Sequence, residues 1–175
     1  LSEIMDLLFA HGVSVNLATP TASPPPWLAR LHPESLPVTA ANVRLWHGSR
    51  RHICPHSSAY REHSRRLVTR LAQEFRDHPS LALWHIDNEY TNGVAECFCD
   101  ISQAAFRRWL EGKYHSIDAL NDAWGTAFWS QHYLNWAEIR APAPIPVQAN
   151  PAQKLDWQRF CSDSWLECFQ DQIDA

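Results

Sequence analysis

The residues best placed to do chemistry are Asn88 and Glu89, which close the run Leu81-Ala82-Leu83-Trp84-His85-Ile86-Asp87. A carboxyl group can shuttle a proton, and a neighbouring amide can bond a hydroxyl. Glycoside hydrolysis needs one carboxylic acid to protonate the leaving oxygen and a second carboxylate as nucleophile or base. The plainer alternative is that Asn-Glu after a strand only caps the following loop. Three cysteines, Cys54, Cys97 and Cys99, form a second candidate group, with the histidines His52 and His56 near the first of them. Nine tryptophans supply flat apolar faces of the kind that meet polar ligands such as sugars.

The elements that must position these residues follow from pattern. Ile4, Leu7 and Leu8 fall at helical spacing, and Gly12 follows as a stop. Val13 to Ala18 alternates like a strand. From Thr19 to Ser57 no period is sustained, and seven prolines make a stiff loop, long enough to suggest function. Tyr60, Ser64, Leu67, Val68, Leu71, Ala72 and Phe75 share one face of an amphipathic helix that Asp77-His78-Pro79 ends. Leu81 to Ile86 then suits a strand covered on both faces.

Beyond the loop Asn88–Asp100, the sequence predicts a helix burying Ala105, Phe106, Trp109 and Leu110. A short helix follows, capped by Ser116 and stopped by Gly125. Asn150 and Pro151 open a long last helix. Helix, strand, loop, helix, strand is the rhythm of a parallel α/β sheet. Two core strands cannot close a barrel, which favours a piece of a larger (β/α) barrel over a small atypical domain. In such sheets the strand C-termini line the active face, where Asn88 and Glu89 fall.

Composition excludes some classes. A net charge of −4 with scattered basic residues argues against a nucleic-acid footprint. No apolar run approaches the roughly 20 residues of a membrane span. No signal peptide is visible, so the expected location is cytoplasmic. Five cysteines do not make a disulfide scaffold, and Cys161 and Cys168 read as buried apolar residues.

Matching segments then run almost end to end: Leu17-Ala18-Thr19-Pro20-Thr21-Ala22, Pro26-Trp27-Leu28, Gly48-Ser49-Arg50-Arg51-His52-Ile53-Cys54, Trp84 to Tyr90, Cys97-Phe98-Cys99-Asp100 and Leu120 to Gln131. In order and spacing they resemble glycoside hydrolase family 42, the β-galactosidases. The resemblance implies an α/β fold, a fragment of a (β/α)8 TIM barrel with long βα loops. Residues 1–175 would be part of its catalytic domain, around the third and fourth βα units, with the first two and the last strands absent.

The resemblance also implies roles. Glu89 would be the general acid/base of a retaining enzyme acting on terminal β-D-galactosides. Asn88 would bind the hydroxyl beside the reacting carbon, and Arg50 would reach the galactose from the long loop. Trp129 and Trp27 are candidate sugar-stacking or pocket-wall residues, with core packing as the alternative. The nucleophile would be a Glu on the seventh strand, outside this chain, so the chain alone would lack turnover. No cofactor would be needed for the chemistry, and the whole protein would be a homotrimer.

Family members often carry a zinc site, for which Cys54, Cys97 and Cys99 fit and Ser102 stands at the fourth position. Either His52 or His56 completes a structural zinc site, or the three cysteines stay reduced without metal. Two further readings of function remain at this level: a related β-glycosidase of different sugar specificity, and a non-catalytic galactoside-binding module.

Overall fold

The computed structural model describes residues 1–175. Helix α1 (Ser2–Ala10) leads to strand β1 (Val15–Ala18), and Gly12 turns the chain between them with φ +69°. The long connection to helix α3 (Ser58–Phe75) contains a short helix α2 (Pro26–Leu31) and a 3-10 turn (Pro33–Ser35). Its proline-rich sequence hides this order. Pro26 sits at the first turn of α2, where its missing N–H costs nothing. Strand β2 (Leu81–His85) follows, then α4 (Asp100–Tyr114), α5 (Ile117–Trp124) and α6 (Pro151–Ile173).

The two strands pair in parallel, with Leu17 opposite Trp84 and Ala18 opposite His85. This is one βαβ unit with α3 as the crossover. The expected helix starts at Ser116 and Asn150 hold: the Ser116 side chain accepts from the Ala119 N–H, and Asn150 from Ala152 and Gln153. Helix α3 is capped in the same way, the Ser57 side chain accepting from the Tyr60 N–H.

One expectation does not hold within this chain. β2 is not covered on both faces, for Leu83 is 63% exposed, and Ile4, Leu7 and Phe9 of α1 are exposed too. The reason is topological: a two-stranded sheet has no further strand or helix to lay over those side chains. Packing is instead concentrated in the helices. Phe106 and Leu110 of α4, Leu120 and Trp124 of α5, and Trp157 and Phe160 of α6 bury one another around Ile139. No helix is long and apolar enough to cross a membrane.

Candidate functional site

The C-terminal ends of β1 and β2 bring the long loop and the Asn88-Glu89 segment together. The chain leaves β2 through backbone turned to the left-handed side, with φ +58° at Asp87 and +49° at Glu89. Such angles cost a non-glycine residue on the order of 1–3 kcal/mol and persist only where surroundings impose them. The surroundings here are specific. Asp87 is 1% exposed; its backbone N–H donates to Thr19 Oγ1 at 2.7 Å, and Thr21 Oγ1 donates to its Oδ2 at 2.6 Å. Arg51, wholly buried, donates to its Oδ1, which also accepts the Asn88 backbone N–H.

From α6, Gln172 closes the cluster. It accepts from Thr19 at 2.8 Å and donates to Tyr90 Oη at 3.1 Å and to Asp87 Oδ2 at 3.4 Å. The Tyr90 ring lies 5.1 Å from the Arg51 guanidinium.

Glu89 itself is exposed. Arg50 Nη2 lies 2.6 Å from its Oε2, and Asn92 Nδ2 donates to the same oxygen at 2.7 Å. Asn92's hydrogen bond, then Arg50's charge, hold the Glu89 carboxyl below its ordinary range. Arg50, Asn88 and Glu89 are therefore neighbours. Trp129 stands elsewhere. It is 71% exposed, stacks on Phe128 at 4.3 Å, and lines a cavity of about 950 Å³ whose walls include Tyr133 and Glu138 but neither Asn88 nor Glu89. Trp27 packs edge-on against His63 beside α3.

The three cysteines converge from two segments, Cys54 from the long loop and Cys97 and Cys99 from the stretch leading into α4. Antiparallel pairing of Val38 with Arg44 folds the loop back, and Phe98 N–H donates to Val38 O at 2.8 Å, setting Cys97 and Cys99 beside Cys54. The three sulfurs lie within 4.8 Å of one another, with Cys54 and Cys99 at 3.6 Å. Thiolates around tetrahedral zinc stand about 3.8 Å apart, so the set fits that ion. Ser102 Oγ occupies the remaining side, 3.2 Å from Cys54 Sγ and 3.4 Å from Cys99 Sγ.

His56, not His52, is the adjoining imidazole: its Nδ1 is 2.9 Å from Ser102 Oγ and 3.9 Å from Cys54 Sγ, whereas His52 faces Pro24 O. Ser164 gives its proton to Phe160 O at 2.6 Å, so His56 Nε2 donates to Ser164, and Nδ1 is left to accept from Ser102. Burial lowers His56 to about 4, which keeps the ring neutral. Cys161 and Cys168 are buried and reduced, as expected.

Sequence reasoning placed Glu89, Asn88, Arg50 and the cysteines but missed Asp87, Thr19, Thr21 and Gln172. Asp87 and the threonines stand inside the quoted segments and could have been weighed as buried polar groups. Gln172, 85 residues beyond Asp87, left no signal.

Comparison with known proteins gives a consistent picture. The family model for glycoside hydrolase family 42, described as beta-galactosidase, matches residues 1–175. A beta-galactosidase of Arthrobacter sp is 53% identical over 173 residues, 99% of this chain and 25% of that protein. The crystal structure of beta-galactosidase from the psychrophilic Marinomonas ef1 superposes with a TM-score of 0.96 at 42% identity, covering 99% of this chain and 26% of that one. A catalytic mutant of the family-42 beta-galactosidase from G. stearothermophilus, glutamate replaced by alanine, gives 0.93 at 43% identity over 98% of this chain and 25% of its own. The chain thus spans about a quarter of the length of the relatives it matches. Its two strands and their crossover are a piece of their α/β barrel.

Proposed function

Since this chain belongs to glycoside hydrolase family 42, we propose that it is the acid/base-bearing part of the catalytic barrel of a retaining β-galactosidase, with Glu89 as the proton donor. The observation that carries the reading is the meeting of Arg50, Asn88 and Glu89 at the C-terminal end of β2, on a strained turn held by buried partners. In the first step Glu89 gives its proton to the glycosidic oxygen as that bond breaks. In the second, its carboxylate takes a proton from water attacking the galactosyl-enzyme. Asn88 bonds the neighbouring hydroxyl, and Arg50 both binds sugar and fixes the carboxylate.

Within the chain Glu89 is held ionised, which suits the second step and not the first. A nucleophile carboxylate about 5–5.5 Å away, contributed by another strand, would raise it again while its own charge persists. Trp129, exposed on a cavity that excludes Asn88 and Glu89 in this chain, would reach the sugar only as an outer wall of the pocket that the intact barrel completes. Turnover therefore needs the intact protein, and the substrate is a galactoside.

Glu89→Gln in the intact protein tests this. It should lower kcat/KM for a galactoside with a poor leaving group by about 10²–10⁴-fold. Activated aryl galactosides should keep most of theirs, and azide should restore turnover. Equal losses on both substrates, without azide rescue, would sink the assignment.

For the cysteine cluster the reading is a structural zinc held by Cys54, Cys97 and Cys99, with Ser102 Oγ on the fourth side and His56 behind it. Bound there it would staple the long loop to the start of α4, apart from the reacting atoms. Elemental analysis should find about one zinc per intact chain, lost with thermal stability in Cys99→Ser. Protein that folds fully without metal would overturn it.

A further inference from the structure

Two neighbouring ion pairs join the same two segments. Arg50 with Glu89 is exposed, whereas Arg51 with Asp87 is wholly buried. The buried pair is a poor device for stability alone, because two charges leave water to form it. Moreover, Arg51 Nε and Nη1 have no hydrogen-bond partner. What it does supply is geometry. Arg51 and Asp87 both take left-handed backbone, at φ +63° and +58°. Asp87 Oδ1 receives both the Arg51 guanidinium and the Asn88 backbone N–H, tying the loop to the peptide that leads into Glu89. Thr21, Thr19 and Gln172 hold Asp87 from the remaining sides.

We propose that the Arg51–Asp87 pair is the positioning element of the site, setting the orientation of Glu89 and its distance from Arg50 without touching substrate. The inference rests on Glu89 being the acid/base. A carboxyl displaced by about 1 Å can lose about 10²-fold in rate, and the loss should fall on the step that needs its proton.

The test uses the intact protein and kcat/KM on galactosides of poor and good leaving groups. Asp87→Asn keeps the shape and removes the charge. Thr21→Val removes one hydrogen bond to Asp87 and leaves the ion pair in place, so it serves if the first variant folds poorly. Each should lower kcat/KM for the poor leaving group, Asp87→Asn by about 10²-fold and Thr21→Val by about tenfold, and the activated substrate by less than about threefold. The basic limb of the pH–rate profile should move with them.

Asp156→Asn, in the helical core far from the loop, serves as the control for lost stability and should leave the ratio of the two substrates unchanged. Equal losses on both substrates in Asp87→Asn and Thr21→Val would overturn the positioning role. If Glu89→Gln itself shows no difference between leaving groups, it is the acid/base assignment that fails. If Glu89→Gln shows the difference and the other two do not, the positioning role alone fails.

Discussion

Around Trp157, helices α4, α5 and α6 bury an aromatic core in which Phe106, Leu110, Leu120 and Ile139 are fully hidden. The β1–β2 sheet instead leaves Leu83 63% exposed, and α1 turns Ile4 and Leu7 outward. In the helical half even a buried carboxylate finds partners: Asp156 is met by Lys113, by Tyr114 Oη at 2.5 Å, by Trp124 Nε1 at 3.0 Å and by Arg159 at 3.2 Å. The sheet half gathers Arg50, Asn88 and Glu89 at its strand ends while leaving apolar side chains uncovered. A site at strand ends can be assembled by loops and one buried ion pair, whereas the barrel wall beneath it needs strands from elsewhere. We infer that residues 1–175 form part of a catalytic barrel domain whose remaining strands cover β1 and β2.

Three measurements on the intact protein break or sharpen this contrast. Trp157→Ala should have the largest effect, about 3–5 kcal/mol of unfolding free energy in denaturant titration, because it empties a closed core. Leu83→Ala comes next. If neighbouring strands cover β2, it should cost about 2–5 kcal/mol, as for a core leucine. A change within about 0.5 kcal/mol, the scale of an exposed site, would mean that the face stays open.

The smallest effect concerns Asp156. Burial alone would raise its pKa, but hydrogen bonds from Lys113, Tyr114 and Trp124 hold it below its ordinary 3.8. A carboxylate depressed in the folded state stabilises above its unfolded pKa and loses that contribution as pH falls through the folded value. The difference in melting temperature between wild type and Asp156→Asn should thus be steady near neutrality and shrink below about pH 4. A difference that persists into stronger acid would contradict the role given to those bonds.

The same contrast explains what could be read from sequence. Helix α3 was legible because its apolar face repeats at 3.6 residues and Asp77-His78-Pro79 ends it. Asn88 and Glu89 were legible because a strand end is a place as well as a composition. Helix α2 was hidden, since six residues among prolines carry no period. The cover expected over Leu83 failed because an apolar strand announces a neighbour without supplying one. The grouping of Thr19, Asp87 and Gln172 is a matter of long-range packing, on which local pattern is silent. His56 was told apart from His52 only by direction, which spacing does not encode.

Gln172 also has a consequence in time. Asp87 leaves the ribosome 85 residues ahead of the side chain that clamps it from α6. At about 5–20 residues per second, that gap is roughly 4–17 s. During that interval β1, α3 and β2 can already pair, while the turn bearing Glu89 lacks its last hydrogen-bond partner. The Glu89 end of the strand is thus set only once α6 has been made, well after the strand itself.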